Sequence, residues 1–439
     1  ENVNKKLEKI LKIGSLPPLF TTLRVNNLHL ERKHAIKLIQ EAIDEEERTG
    51  LKFEVKNHPE LNDCIIIQNF GPFNVDTVTE EIIVDHSCGM SVLRGSDIYS
   101  TGILSMSPYV KVGDLVSVYV DVENKCRRGL LTKDFHGKKF FIGNGVAMVT
   151  RAAVFCTGNN KLKGIGVRMS ECIYRSPQLY DLLPSLIHPQ NLPSIICVHV
   201  LNPSSDDLVL DMCAAPGGKT SHIATLMGNK GCVVALDKNR NKTETVKRHL
   251  EKWNISNVQV HHCDSSKNAR QRNAKILKFK RESFDKILLD APCSGLGQRP
   301  SIINDITSSQ LSSYPQLQMQ LFETAVQLLK KGGTMVYSTC TTNIYENESI
   351  TAWALQKFKN LKLVKQDPHL GSSGWIVEGL TEEQTRLLQR FDPSILLDHD
   401  NDDDLQDHHQ DNEDYYYLHH SERYDIDTIG FFIAKFTKL

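Results

Sequence analysis

The sequence predicts a doubly wound α/β domain with a mostly parallel sheet, preceded by a small β-barrel and a helical N-terminal region. Three observations carry this. From about residue 204, short apolar runs alternate with helical stretches, and four of the five runs end in or lead to Asp. Between residues 80 and 174, β-rich runs are broken by glycines. Near the start, Leu28, Leu30, Ala35, Ile36, Leu38, Ile39 and Ile43 recur at three- and four-residue spacing. A length of 439 residues suits two or three domains.

Taken in order, residues 1–79 read as mostly helical and carry no evident chemistry. In 80–174 the strand candidates are Val92–Gly95, Gly102–Leu104, Val112–Val120 and Phe140–Gly145, the pattern of a small barrel or sandwich. Its connection Asn124–Gly129 is basic through Lys125, Arg127 and Arg128, which suits phosphates. A solvated hairpin tip reads equally from the spacing. Residues 175–439 hold the α/β pattern, with strands at Leu208–Asp211, Cys232–Asp237, Val258–Val260, Phe284–Asp290 and Thr334–Cys340. A helix over Leu317–Lys330 is expected to stop at Gly332-Gly333. Such sheets bind ligands beyond the carboxyl ends of their strands, where these Asp residues gather.

The net charge of −1 conceals an asymmetry. Residues 398–414 hold eight Asp, one Glu and no Lys or Arg, and without those nine acids the 52 Lys and Arg face 44 acids, a net of +8. The stretch 396–422 reads as a disordered acidic insertion. Eleven scattered cysteines, with no CxxC pair, exclude a disulfide framework and give no support to a zinc site. No apolar run is long enough to span a bilayer, and the first residues lack a signal-peptide core. A cytoplasmic, reducing setting is expected. The chain does not open with Met, so the natural N-terminus is left open.

Asp211-Met-Cys213-Ala214-Ala215-Pro216-Gly217-Gly218-Lys219-Thr220 follows the first strand and opens a helix over Ser221–Leu226. Small residues let a ligand approach the backbone, and a helix N-terminus offers N–H groups to an anion. The loop is neither GxGxxG nor a P-loop, and a nucleoside carrying a carboxylate suits it. Asp237 can accept from a ribose diol and Asp264 from an adenine amine. Together they describe S-adenosylmethionine. The competing reading of each Asp is a helix cap, worth about 1 kcal/mol.

Two cysteines stand at strand ends: Cys293, in Asp290-Ala-Pro-Cys-Ser-Gly, and Cys340, in Ser338-Thr-Cys-Thr. A thiolate is a strong nucleophile. Carbon 5 of a pyrimidine is too poor a nucleophile to take a methyl group until a thiolate adds at carbon 6. A carboxylic acid near N3, for which Asp290 is the candidate, can stabilise the charge that develops. Spacing does not choose between the two thiols.

These motifs, in this order, resemble the Sun-domain RNA cytosine-5 methyltransferases, over about residues 170–439. The segment 80–174 is similar to a PUA domain, an RNA-binding pseudo-barrel, and the combination resembles the PUA-containing sixth branch of the family, a tRNA cytosine-5 methyltransferase. The resemblance implies that Cys340 is the nucleophile, that Cys293 assists product release, that Asp290 contacts the ring and that Lys219 lies near the reaction centre. It places the cofactor on Cys213–Lys219, Asp237, Asp264 and Asp290. It also implies a tRNA acceptor end, with messenger RNA left open as a substrate. Arg94, Arg127 and Arg128 are then candidate phosphate contacts, and Tyr99 a candidate stacking platform. Family members often carry Pro shortly before the motif Glu346-Asn347-Glu348; here Ile344-Tyr345 stands there, which leaves the loop shape open. No metal and no membrane are expected, and a monomer is the default. Two rival readings remain: a PUA module on a fold that no longer turns over, and a methyltransferase acting on nitrogen. Intact cysteines weigh against the first. The missing aromatic clamp after the fourth strand weighs against the second.

Overall fold

A computed structural model describes residues 10–46, 50–155, 164–179, 181–267, 279–397, 424 and 426–439. The acidic tract 398–414 and residues 398–422 of the insertion expected at 396–422 lie outside the described residues, and 396–397 close a short helical turn, Pro393–Leu397.

The N-terminal region corrects the mostly helical expectation. Residues 10–15 are helical, and the helix α1 (Arg32–Glu46) is where the periodicity placed it, with Ala35, Ile39 and Ile43 turned inward. That face packs on an antiparallel sheet of β1 (Phe20–Val25), β2 (Val55–Asn57) and β3 (Cys64–Gln68). A fourth strand comes from Ile187–Pro189, which pairs with β1. That segment lies beyond the boundary at residue 175, so the N-terminal sheet is closed by the chain that enters the α/β region.

The middle region is a six-stranded sheet: β4 (Glu81–Val84), β5 (Ile98–Tyr99), β6 (Ile103–Met106), β7 (Leu115–Asp121), β8 (Lys139–Ala147) and β9 (Ile165–Cys172), in the order β5-β9-β8-β7-β4-β6. Val116, Val118 and Val120 alternate along β7 and enter one core with Ile82, Val84 and Ile142. Val92–Gly95 is not a strand. Val92 ends helix α2 (His86–Val92), which the Asp85 carboxylate caps by accepting from the Cys88 N–H at 2.8 Å.

After β10 (Ile187–Pro189) and α3 (Leu192–Leu201) comes the doubly wound sheet. Its strands are β11 (Leu208–Asp211), β12 (Cys232–Asp237), β13 (Val258–His262), β14 (Phe284–Asp290), β15 (Leu329–Thr339), β16 (Leu361–Leu363), β17 (Gln389–Phe391) and β18 (Phe431–Lys438). The order is β13-β12-β11-β14-β15-β18-β16, parallel from β13 to β15, with β18 antiparallel to β15, β16 and β17. Period-2 alternation feeds a core on each face. Leu210, Val234, Ile287, Leu289 and Tyr337 point to α6 (Ser308–Leu328) and α7 (Glu348–Lys357), whereas Val209, Val233, Leu288 and Val336 meet α3 and α4 (Gly218–Leu226), and Ala235 packs on Val246 and Leu250 of α5 (Arg240–Lys252). Helix α6 stops at Leu328, short of the glycines. Leu329 pairs with Phe284 and the ladder resumes at Lys286↔Thr334, so Gly332-Gly333 lies in a bulge of β15 instead of ending the helix.

Candidate active site

The register of the sheet assembles the site. Asp290 pairs with Ser338, and the Ala291 N–H donates to the Ser338 carbonyl at 2.9 Å. The loops after β14 and β15 therefore leave the sheet side by side. They bring Cys293 and Cys340 to a sulfur–sulfur separation of 3.3 Å, both half-buried. The Gly297 N–H donates to the Cys340 carbonyl at 3.1 Å, and the Gly430 N–H to the Gly297 carbonyl at 2.7 Å. A Cβ on Gly297 would meet the Gly430 carbonyl at 2.1 Å, so only glycine allows this approach.

The two thiols are not equivalent. A hydrogen bond from the Cys293 thiol stabilises the Cys340 thiolate and lowers its pKa, against burial and the Asp290 charge; Gln298 and the Lys219 ammonium act in the same sense as Cys293. The same bond, together with burial, holds the Cys293 proton in place. Lys219, from the first turn of α4, sets its Nζ 2.7 Å from Asp290 Oδ2 and 5.3 Å from the centroid of the Phe431 ring. Burial disfavours its charge, but the Asp290 carboxylate, with smaller help from the sulfurs of Cys197 and Cys340, raises its pKa overall. Ser338 Oγ donates to Asp290 Oδ1 at 2.7 Å, which fixes both carboxylate oxygens.

The loop Cys213–Gly217 turns from β11 into α4. Gly217 has a φ of 111°, and no side chain caps the helix. Its first N–H groups face the loop, the arrangement that holds an anion. The Ala214 N–H donates to the Leu236 carbonyl at 2.9 Å. Asp237 accepts from the Ala215 N–H at 3.3 Å and the Asn239 N–H at 2.8 Å, and its carboxylate retains lone pairs for a diol. Asp264 Oδ1 accepts from the Ser266 N–H at 3.1 Å and the Ser266 hydroxyl at 2.6 Å, so here the cap reading also holds. Buried Asp211 accepts from Thr220 Oγ1 at 2.7 Å; burial pushes its pKa up to about 7, and its Oδ1 has no partner. These residues fit a nucleoside bearing a carboxylate: the left-handed glycine, the uncapped helix and a carboxylate at the end of β12.

A cavity of about 790 Å³ opens beside this loop, lined by Cys213–Pro216, Gly218, Lys219 and Asp290. Asp237, Asp264 and both strand-end cysteines lie outside its lining. On its far side the cavity reaches Arg94, whose Nη2 donates to the Arg299 carbonyl at 3.4 Å. The other barrel candidates lie elsewhere. Tyr99 is exposed and lines a separate cavity of about 390 Å³. Arg127 is exposed. Arg128 spends its guanidinium on the carbonyls of Thr101 (2.9 Å), Ile103 (2.6 Å), Ser100 (3.3 Å) and Val154 (3.4 Å). Arg128 is exposed as well, yet its guanidinium staples the barrel.

Several site residues were not foreseen. Arg24, fully buried in β1, reaches Gln190 Oε1 at 2.9 Å and Ser221 Oγ at 2.7 Å and stacks on Trp253 at 4.3 Å, bracing the start of α4 from the N-terminal sheet. Ser338 and Gln298 had no signal beyond their nearness to the cysteine motifs. Glu346 and Asn347 had one, the Glu346-Asn347-Glu348 motif itself. Asp63 receives hydrogen bonds from His199 Nε2 at 2.7 Å and His222 Nε2 at 2.6 Å. Among the described residues this is one compact group of metal-ligand types, with hydrogen-bond spacings. Burial lowers the His222 pKa to about 3, so its neutral ring donates to Asp63.

Known proteins of this build supply the family. The model described as 16S rRNA methyltransferase RsmB/F matches residues 198–393. The tRNA (cytosine(72)-C(5))-methyltransferase NSUN6 of Homo sapiens is 43% identical over 100% of this chain and 92% of its own length. The tRNA (cytosine(72)-C(5))-methyltransferase of Pyrococcus horikoshii is 30% identical over 85% of this chain and 86% of its own. The crystal structure of NSun6 from Pyrococcus horikoshii with SFG superposes at a TM-score of 0.74 and 28% identity, covering 99% of this chain and 94% of that one. The chain belongs to the Sun-domain (RsmB/F) family of methyltransferases.

Proposed function

We propose that the chain methylates carbon 5 of a cytosine near the 3′ end of the tRNA acceptor stem, with Cys340 as nucleophile. One observation supports this above the rest: two cysteines 3.3 Å apart beside a Lys219–Asp290 pair on the ligand edge of the sheet. The acceptor end follows from relatives named for cytosine 72 of tRNA.

S-Adenosylmethionine, when bound, supplies an electrophilic methyl group. Cys213–Lys219, Asp237 and Asp264 would hold it. The Cys340 thiolate adds to carbon 6 of the ring, forming a C–S bond and making carbon 5 electron-rich. As negative charge develops at N3, a proton passed from the Lys219 ammonium to Asp290 lets that carboxyl donate to N3 and steady the charge there. After methylation a base takes the carbon 5 proton, the C–S bond breaks and Cys340 leaves as thiolate. Cys293, which hydrogen-bonds that sulfur, favours its departure as an anion. The target must leave its stack, which costs a few kcal/mol and least near a duplex end. The six-stranded region acts as the PUA-like grip on the 3′ terminus, with Arg94 nearest the site and Arg127 and Tyr99 further out. The setting is the cytoplasm, the enzyme is a monomer, and the chemistry uses thiolate and carboxylate without a metal. No helix among the described residues is long and apolar enough to cross a membrane.

The test is to incubate the protein with unmodified tRNA transcript and S-adenosylmethionine, digest the RNA and identify the methylated nucleoside by mass spectrometry. 5-Methylcytidine mapped to the acceptor end is expected. Methyl on a ring nitrogen, or no methyl at all, would overturn the proposal.

A further inference from the structure

Two adjacent residues that take no part in the chemistry, Glu346 and Asn347, tie together the loops carrying the two cysteines. Both are fully buried. The Asn347 amide holds the chain on either side of Cys340: its Oδ1 accepts from the Thr339 hydroxyl at 2.5 Å, and its Nδ2 donates to the Thr341 carbonyl at 2.9 Å. The Glu346 carboxylate accepts from the N–H of Ser294, the residue after Cys293, at 2.9 Å. It also accepts from the Asn343 side chain at 2.9 Å, in the loop that follows Cys340. Gln318, buried on α6, donates to the same carboxylate at 2.9 Å and to the carbonyl of Pro292, the residue before Cys293, at 3.0 Å. A further bond joins Ser294 Oγ to Thr341 Oγ1 at 2.8 Å. Each cysteine is thus gripped through both chain neighbours, and the grips meet in two consecutive residues.

A buried carboxylate is costly unless donors surround it, and an apolar side chain would fill the space at less cost. What the polar bridge adds is definition of position, since hydrogen bonds fix both separation and direction. We propose that Glu346 and Asn347 are positioning residues that set the Cys293–Cys340 separation, and through it the Cys340 thiolate and the balance between adduct formation and release. This deepens the reading of the cysteine pair given above and rests on it.

The test compares the wild type with Asn347→Ala, Thr339→Val and Thr339→Ser, the last keeping the hydroxyl that Asn347 accepts from. The first readout needs neither RNA nor cofactor. Diamide, an azo oxidant, takes up two electrons and two protons as the thiols join in a disulfide, and peptide mapping follows the Cys293–Cys340 link. We expect Asn347→Ala and Thr339→Val to slow this link by about tenfold or more, and Thr339→Ser to restore it. The second readout is turnover: kcat should fall by about a hundredfold, as a misplacement of about 1 Å does, while KM for tRNA and for S-adenosylmethionine stays within about twofold. Unchanged oxidation rates in Asn347→Ala and Thr339→Val overturn the proposal. So does a parallel loss of KM, kcat and thermal stability that Thr339→Ser does not rescue, which would mark a structural role alone. If the link rates follow the prediction but the wild type methylates no tRNA, the positioning stands and the parent reading fails.

Discussion

Replacing Cys293 with Ala is expected to change the acidity of Cys340. In the native site the Cys293 thiol lies 3.3 Å from the Cys340 sulfur and is the leading influence lowering its pKa. A hydrogen bond to a charged group contributes about 1.5–3 kcal/mol. At about 1.4 kcal/mol per pKa unit, its loss raises the Cys340 pKa by about 1–2 units. The sign follows from the thiolate being the reactive form. Wild-type Cys340 stays reactive as pH falls below the ordinary thiol value of about 8.5, whereas the variant loses reactivity over that same fall. The assay is the rate of alkylation of Cys340 by iodoacetamide from pH 6 to 10, read by peptide mass spectrometry. Burial raises the pKa of Cys64, Cys197 and Cys213, so these thiols serve as slow internal references. An inflection that does not move in Cys293→Ala would refute the claim that the Cys293 hydrogen bond makes Cys340 the nucleophile.

Further expectations concern the surroundings. Asp290→Asn breaks the 2.7 Å pair with Lys219 and should lower kcat by about 10²–10³-fold, with S-adenosylmethionine binding by calorimetry affected much less. Asp237→Ala should weaken cofactor binding by about 1.5–3 kcal/mol and leave tRNA affinity unchanged. Arg127→Ala should reduce the salt slope of tRNA binding by about 0.7–0.9 without moving Tm, whereas Arg128→Ala, which strips four carbonyls of a donor, should lower Tm. Arg24→Met orphans Gln190 and buried partners on α4 and should cost about 1–3 kcal/mol for each group left unsatisfied, read by urea denaturation.

What the sequence made legible is local. The strands of the α/β sheet announce themselves because short unbroken apolar runs end in Asp at the ligand edge, as at Leu210-Asp211 and Leu289-Asp290. The cofactor loop and both cysteines were readable for the same reason: each follows directly on its strand. Features built by distant pairing were not legible. The N-terminal sheet needs Leu23 opposite Ile65 and Pro189, partners far apart in sequence. Val92–Gly95 looked like a strand because its apolar residues end a short helix, and the Asp85 cap was the overlooked sign. The bulge at Gly332-Gly333 depends on Leu329 finding Phe284. No sequence rule separates Arg127 from Arg128; only the fold decides which guanidinium meets the carbonyls. The Glu346-Asn347 bridge was present as a motif, yet its meaning depends on two loops meeting.

The most direct test of the central claim mixes Cys293→Ala protein with tRNA and S-adenosylmethionine and runs the mixture on a denaturing gel. The account predicts an RNA–protein adduct that survives denaturation and vanishes in the Cys293→Ala, Cys340→Ala double variant. An adduct that persists without Cys340 would contradict it.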